Sequence, residues 1–363
     1  MKALVTSNSL ISRLTNLTVG KNFNTIRAQW KDVPKPDVLD NEILVKVRAV
    51  ALNATDFKHI DAISPAGCIV GCDFAGEVCE VGRDAANLWK IGDRVAGAVH
   101  GGLYPDRGSF AEYLKTDSDL AWKIPEHLND AAATTYGVSA VTAMLALSVR
   151  LGLPHIKTRL QSDFRESTET QTLFVYAGST SAGLSTIQLA KALGYSVVTT
   201  ASPHSFELVK RYGAKAVFNY REPNVGQKIA EQYPEIRLAV DCFSEGNSTT
   251  TCDEIIGKKG GRVITLLPTA KSRVRGVEHE LIMAYTVFGH AFQWLPPIGP
   301  RFPAKPSDRE ALAGFYAVLP QLTDILMPLP TVIEAGGFDA IFPALEKLRE
   351  GKVSGCKLVV EFP

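Results

Sequence analysis

Residues Glu42–Asn53 read EILVKVRAVALN, in which Val45, Val47 and Ala49 alternate with Lys46, Arg48 and Val50. That period of two predicts a strand with one buried face. Glycine-containing turns then punctuate short runs at Val70–Val81, Gly92–Val95 and the loop His100–Ser109. No long helical period occurs before about residue 130, so the first stretch reads as a compact, loop-rich β-barrel domain. From Asp130 the texture changes. Ala131–Leu151 is alanine-rich with helical spacing, and a polar segment, Lys157–Thr170, separates it from the continuous apolar run Leu173–Ala177. A run of that length and texture suits a parallel strand buried on both faces.

Beyond this run, helical and extended periods alternate regularly. The pattern predicts a helix at Ala182–Leu193, a strand at Ser196–Thr200, a helix at Phe206–Tyr212 and a strand at Ala216–Asn219. A helix at Val225–Gln232, a strand at Leu238–Cys242, a helix at Ser248–Ile256 and a strand at Arg262–Leu267 complete it. Such alternation is the signature of a doubly wound α/β fold. Trp294–Pro306 carries five prolines in thirteen residues and reads as an irregular connector. Helices at Asp308–Leu326 and Phe338–Glu350 come next, then a strand at Lys357–Glu361 that is expected to return to the first domain.

Charge narrows the function classes. Lys plus Arg total 39 against 38 for Asp plus Glu, a net charge of +1, which gives no electrostatic footprint for nucleic acid or an anionic membrane. No apolar run near 18 residues and no secretory signal pattern is apparent, so a soluble, cytoplasmic protein is expected. The six cysteines have no paired short spacings and read as reduced thiols.

Strand Leu173–Ala177 runs into Gly178-Ser179-Thr180-Ser181-Ala182-Gly183 and then a helix. A glycine-rich turn there lets the backbone approach a pyrophosphate, and the helix N-terminus offers unpaired N–H groups; Thr180 replaces the middle glycine of the usual fingerprint. The next strand ends in Thr199-Thr200-Ala201-Ser202-Pro203-His204-Ser205, with no acid before Glu207. Hydroxyls and a histidine suit a 2′-phosphate, with Tyr220 and Arg221 completing the pocket, so NADPH is the expected cofactor.

Ala51–Lys58 (ALNATDFK), Gly71–Val78 (GCDFAGEV), Ile91–Val95 (IGDRV), Gly108–Tyr113 (GSFAEY) and Gly178–Lys191 stand in one order. That order resembles the medium-chain dehydrogenase/reductase family over essentially the whole chain. The resemblance implies an α/β protein: a GroES-like β-barrel domain (1–140 and 305–363) interrupted by a Rossmann NADPH-binding domain (141–304). Where the zinc alcohol dehydrogenases carry metal ligands, this chain has Asn53, Gly71-Cys72-Asp73 and about Tyr136, a poor zinc set. No metal is expected. Further details resemble the trans-acting enoyl reductases of fungal polyketide synthesis, of the lovastatin enoyl reductase type: Ser202-Pro203-His204, Ser179-Thr180, Val353-Ser354-Gly355 with Lys357-Leu358-Val359, and the polar insertion before Leu173.

The resemblance implies cofactor contacts at Thr55, Asp56, Phe57, Lys58, Ser179, Thr180, Ser181, Ala182, Ser202, Pro203, His204, Ser205, Tyr220, Leu266, Leu267, Val353 and Ser354. It implies substrate contacts at Thr134, Thr135, Tyr136, Gly137, Val138, Ser139, Ala140 and Val141, and at Thr286, Val287, Phe288, Gly289 and His290. The implied partner is a polyketide synthase, with or without a peptide synthetase module, and its acyl carrier domain; the chain is expected to be a monomer. Thr55 and Lys58 are the catalytic candidates, able to orient the nicotinamide or donate to an enolate oxygen, with Asp56 a cap or loop-fixing residue. His100, His127, His155 and His279 show no partner pattern and read as surface or loop residues. The alternative reading is a free-standing NADPH:quinone or enone reductase.

Overall fold

A computed structural model describes residues 1–18, 27–156 and 171–363, so the polar segment Lys157–Thr170 expected to precede the first Rossmann strand lies outside the described residues. The chain forms two compact units. One comprises Met1–Val138, Tyr285–Pro320 and Pro330–Pro363; the other comprises Ser139–Ala284 and Gln321–Leu329. Residues 285–304 therefore belong with the barrel rather than with the Rossmann unit as the sequence suggests. The reason is aromatic. Tyr285 buries its hydroxyl among Thr55 and His59, and Phe292 packs 5.1 Å from Phe302 and 5.1 Å from His100. Residues 321–329 go the other way because Gln188 bonds both the N–H and the carbonyl of Met327, and Tyr212 donates to the carbonyl of Pro328.

In the barrel unit a sheet runs in the order Thr331–Ile333, Lys357–Glu361, Glu42–Ala51, Asp73–Val81, Arg94–Ala98, Ala121–Lys123, with Tyr113–Asp117 also pairing with Glu42–Ala51. The last strand does return to this unit, pairing Val359 with Ala51. Glu42–Ala51 is less one-sided than its alternation suggests, because Leu44 and Val50 are buried along with Val45 and Val47. Register shifts at Leu44/Val45 and Val47/Ala49 bend this central strand, which lets the sheet curl around its apolar side chains.

One helix has no counterpart among the expected elements. Leu10–Thr18 lies well before residue 130; Leu10, Leu14 and Leu17 recur at helical spacing that the sequence reading passes over, yet they are exposed and the buried side chain is a charge. Arg13 is buried and donates to the carbonyls of Ala62, Ile63 and Pro296 at 2.7, 2.5 and 2.6 Å. The alanine-rich stretch is broken at Gly137 into Asp130–Ala133, a tight turn at Thr134–Tyr136, Val138–Met144 and Leu145–Arg150. By length and composition Asp130–Arg150 could cross a membrane, but 78% of its most apolar window is buried in this protein. The proline-rich connector carries a short ladder, Phe292–Gln293 against Arg301–Phe302, and its last proline opens helix Pro306–Leu322.

The second unit is a parallel sheet in the order Ala216–Asn219, Ser196–Ala201, Thr172–Tyr176, Leu238–Asp241, Gly261–Thr265, Val277–Leu281. This is the doubly wound order, with the first strand central and the chain reversing direction beside it. The sixth strand escapes the apolar pattern, because its sequence, VEHEL, has the polar character of an exposed edge.

Two glycines separate backbone strain from crowding. Gly71 and Gly92 have φ of +97° and +91°, but a Cβ at Gly71 would sit 2.5 Å from both Phe110 and Ser109, whereas Gly92 faces open space. Gly71→Ala is expected to cost about 2–4 kcal/mol and Gly92→Ala about 1 kcal/mol in urea unfolding. Equal losses would show that crowding at Gly71 is relieved without cost.

Candidate active site

In the Rossmann unit, strand Thr172–Tyr176 turns through Ala177 and Gly178 into helix Ser181–Ala192. A Cβ on Gly178 would meet Thr199 Oγ1 at 2.1 Å, and one on Gly183 would meet the Ala177 carbonyl at 2.4 Å, so both glycines are set by close backbone approach. Thr180 stands in for the middle glycine by capping: its hydroxyl accepts from Gly183 N–H at 3.0 Å and donates to the Ala177 carbonyl at 2.9 Å. Helix geometry leaves the N–H groups of Ser181 and Ala182 without intrahelical acceptors, an anion cradle beside half-buried Ser179.

Beside it, Asn219 pairs in register with Ala201, bringing two strand ends together. Arg221 Nη1 lies 3.3 Å from Ser202 Oγ, and its guanidinium stacks over the Tyr220 ring at 4.6 Å. Pro203 and His204 are exposed, whereas Ser205 is buried. Leu266 and Leu267 are half-buried at the end of Gly261–Thr265, where Leu266 N–H donates to Ser244 Oγ in a turn locked by Asp241. The residues present fit a phosphorylated dinucleotide: a backbone cradle, an exposed guanidinium and two hydroxyl-bearing strand ends.

The barrel unit holds the other candidates. Asn53 opens the short helix Ala54–Lys58, and Asp56 Oδ2 accepts from Asn53 N–H at 2.7 Å. Asp56 is therefore the loop-fixing residue; it is fully buried, as is most of Phe57, and neither side chain is presented for cofactor contact. Burial pushes the Asp56 carboxyl up to about 7. Thr55 and Lys58 are half-buried, and the Lys58 ammonium has no ion-pair partner among the described residues. Val353 packs against the barrel core and Ser354 is exposed.

The turn rests on a buried ion pair. Lys357 Nζ lies 2.7 Å from Asp73 Oδ2 and also bonds Asn53 Oδ1, while Asn53 Nδ2 donates to Asp73 at 3.0 Å. Asp73 Oδ1 accepts from Val138 N–H at 2.6 Å, and Gly137 leaves the room a Cβ would fill 2.2 Å from that oxygen. The expected substrate tract thus spends much of its chemistry on the frame. Thr134 and Thr135 donate to the carbonyls of Ala131 and Ala132, Tyr136 packs edge-on to Trp122, and Ser139, Ala140 and Val141 are buried.

The second tract, 286–290, is preceded by a residue that sequence reasoning misses. The Tyr285 hydroxyl lies 2.7 Å from Thr55 Oγ1, 3.1 Å from His59 Nε2 and 3.7 Å from Cys72 Sγ. His59 Nδ1 continues to Ser64 Oγ at 2.8 Å. His100 stacks on Tyr285 with centroids 3.9 Å apart and also on Phe288, so it is a buried wall of this cluster and not a loop residue. His279 too is partnered, with Asp253 at 2.7 Å. Thr286 donates to Asp308 at 2.5 Å, Val287 is buried, Gly289 is half-buried against Arg309, and His290 is exposed. The signals are weak but present: Tyr285 abuts the implied substrate tract, and His59 abuts Lys58.

Zinc does not fit the aligned positions. Asn53 is engaged by Lys357 and Asp73, Tyr136 turns onto Trp122, and burial pushes the Cys72 thiol well up, away from the thiolate a metal needs. Among the described residues no group of three His, Cys, Asp or Glu side chains is clustered to hold a metal ion.

Burial also lowers His59 to about 3 and His100 well below its ordinary value. Below pH 6.5 the unfolded chain takes up a proton at each ring while the native rings stay neutral, so stability falls as pH falls. Asp56 acts oppositely: its native proton is lost on unfolding above the ordinary carboxylate range, so its contribution is lost as pH rises towards about 7. Two protons against one leave stability sloping downward on acidification towards about pH 5. Chemical unfolding across that range is expected to show this slope, and His100→Phe to flatten it; an unchanged slope in the variant would contradict the assignment.

Comparison with known proteins agrees with this geometry. Residues 39–126 match the alcohol dehydrogenase GroES-like domain, and residues 182–281 match the family described as zinc-binding dehydrogenase. The trans-enoyl reductase thnE of Trichoderma harzianum is 35% identical over 91% of this chain and 92% of its own. The trans-enoyl reductase ACTTS2 of Alternaria alternata is 36% identical over 91% and 94%. Among solved structures, CurK enoyl reductase superimposes with a TM-score of 0.70 at 16% identity, covering 100% of this chain and 99% of that one. A mycobacterial protein solved with NADPH gives 0.68 at 17% identity, covering 100% of both chains. These likenesses run the length of both units, and the chain belongs to the trans-enoyl reductases, within the medium-chain dehydrogenase/reductase family.

Proposed function

We propose that this enzyme is an NADPH-dependent reductase of the α,β-double bond of an enoyl thioester, delivered on the acyl carrier domain of a polyketide synthase. The observation that carries the reading is the likeness to trans-enoyl reductases over more than nine-tenths of both chains. NADPH over NADH is supported by Arg221, Ser202 and Tyr220 at the strand ends, with no carboxylate between Thr199 and Ser205 to bind a ribose 2′-hydroxyl.

When bound, NADPH supplies the hydride for the β-carbon of the thioester. The protein's task is to hold the acceptor and stabilise the charge that develops on the thioester carbonyl oxygen. Thr55 and Lys58, half-buried one helical turn apart, are the groups that can donate to that oxygen. The Ser181 and Ala182 N–H groups would hold the pyrophosphate, and Arg221 with Ser202 would hold the 2′-phosphate. The conjugated carbonyl is its own electron sink, so the reaction needs no Lewis acid. Water supplies the proton at the α-carbon.

Purified enzyme given NADPH deuterated on the transferred position and an enoyl thioester of N-acetylcysteamine is expected to place one deuterium on the β-carbon. NADH should be at least about tenfold poorer in kcat/KM, and Arg221→Ala should narrow that gap by weakening NADPH alone. Equal use of NADH would defeat the cofactor reading. Turnover of small quinones with none on thioesters would make the enzyme a free-standing quinone reductase instead.

A further inference from the structure

We infer that Tyr285, His59 and Ser64 form a polarised hydrogen-bond chain that presents the Thr55 hydroxyl as a donor to the substrate's carbonyl oxygen. The inference rests on the enoyl reductase reading. The chain is continuous: Ser64 Oγ to His59 Nδ1 at 2.8 Å, His59 Nε2 to Tyr285 Oη at 3.1 Å, and Tyr285 Oη to Thr55 Oγ1 at 2.7 Å. Its inner three members are buried, while Thr55 at the outer end is half-buried.

A neutral imidazole has one N–H and one lone pair, so the His59 tautomer sets the direction of every bond in the chain. Burial keeps His59 neutral. The inner end carries the choice of direction. Ser64 is fully buried with its hydroxyl 2.8 Å from His59 Nδ1, and the Gly102 backbone also bonds this ring. The inferred arrangement has the Ser64 hydroxyl donating to Nδ1, which satisfies a buried donor. With Nδ1 as acceptor, Nε2–H donates to Tyr285, Tyr285 O–H donates to Thr55, and the Thr55 hydrogen is left to point outward. Thr55 then cannot spend its proton on Tyr285.

The surroundings make the chain rigid. His100 stacks on the Tyr285 ring with an interplanar angle of 16°, Trp294 packs 5.5 Å from it, and Trp294 also meets His59 edge-on at 5.1 Å. Packing alone would be served by phenylalanine at 285; the hydroxyl, buried among three polar atoms, is what the chain requires. As hydride arrives at the β-carbon, the alkene electron pair moves to the carbonyl oxygen, and Thr55 Oγ–H donates a hydrogen bond to it. No proton need leave the protein, since the α-carbon is protonated by water. Thr55 is the catalytic residue, and Tyr285, His59 and Ser64 are positioning residues.

The test combines kinetics with a measurement that needs no turnover. Thr55→Val is expected to lower kcat about a hundredfold with KM for the N-acetylcysteamine thioester little changed, while Thr55→Ser retains activity. Tyr285→Phe should lower kcat at least about tenfold with an unchanged NADPH dissociation constant. Because Tyr285 acts through Thr55, the double variant should be no slower than Thr55→Val alone. Tyr285→Phe at the wild-type rate, or losses that multiply in the double variant, would overturn the inference while leaving the enoyl reductase reading intact; absence of thioester reduction by the unaltered enzyme would defeat that reading itself. Independently, ¹⁵N NMR of histidine-labelled protein at pH 7, with His59 identified by its loss in His59→Asn, is expected to show the neutral Nε2–H tautomer. A protonated Nδ1 overturns the inference whatever the kinetics show.

Discussion

A lysine on the last strand and an aspartate on an early one meet inside the barrel, and much of the rest is arranged around their charges. Lys357 and Asp73 are both buried and 2.7 Å apart. Their desolvation is offset only by complete hydrogen bonding, and that bonding recruits the Asn53 side chain and the backbone of Val138. One ion pair therefore ties together the C-terminal strand, the strand carrying Gly71-Cys72-Asp73, the turn that opens the Thr55 helix and the tract after Gly137. The position of Thr55 is a consequence of this frame, since Asn53 anchors one end of its turn and Asp56 caps it from within.

The same frame changes what chemistry the pocket can do. Asn53 and Cys72, which the resemblance to zinc alcohol dehydrogenases would align with metal ligands, are tied into hydrogen bonds to a lysine, an aspartate and a tyrosine. A cluster of aromatic rings and hydroxyls, centred on Tyr285, lies against them. Such a site can position a conjugated acceptor and donate to its oxygen.

Sequence range decides how much of this is legible in the chain. The dinucleotide site is built from short segments in which each residue's role is local: Gly178 and Gly183 for backbone approach, Thr180 as cap, and Ser202 and Arg221 at adjacent strand ends. The pattern of apolar runs therefore reveals the described Rossmann unit nearly element by element, and fails at the polar edge strand Val277–Leu281. The cluster around Tyr285 is different in kind. Tyr285 reaches Thr55 across 230 residues and His59 across 226, and Lys357 reaches Asp73 across 284. No local period encodes such pairs. His100 reads as a loop residue because its stacking partner lies in a distant segment, and the helix at Leu10–Thr18 is anchored by a buried arginine whose carbonyl partners also lie far along the chain.

The claim on which these relations depend is that Lys357 compensates the buried Asp73 and so holds the turn of Thr55. Equilibrium unfolding of Lys357→Met, Asp73→Leu and the double variant tests it directly. Each single substitution strands a polar frame without its counter-charge or its acceptor, and Lys357→Met is expected to cost about 3–5 kcal/mol, much of which the double variant regains. A Lys357→Met protein within about 0.5 kcal/mol of the unaltered enzyme, or a double variant whose losses simply add, would contradict it.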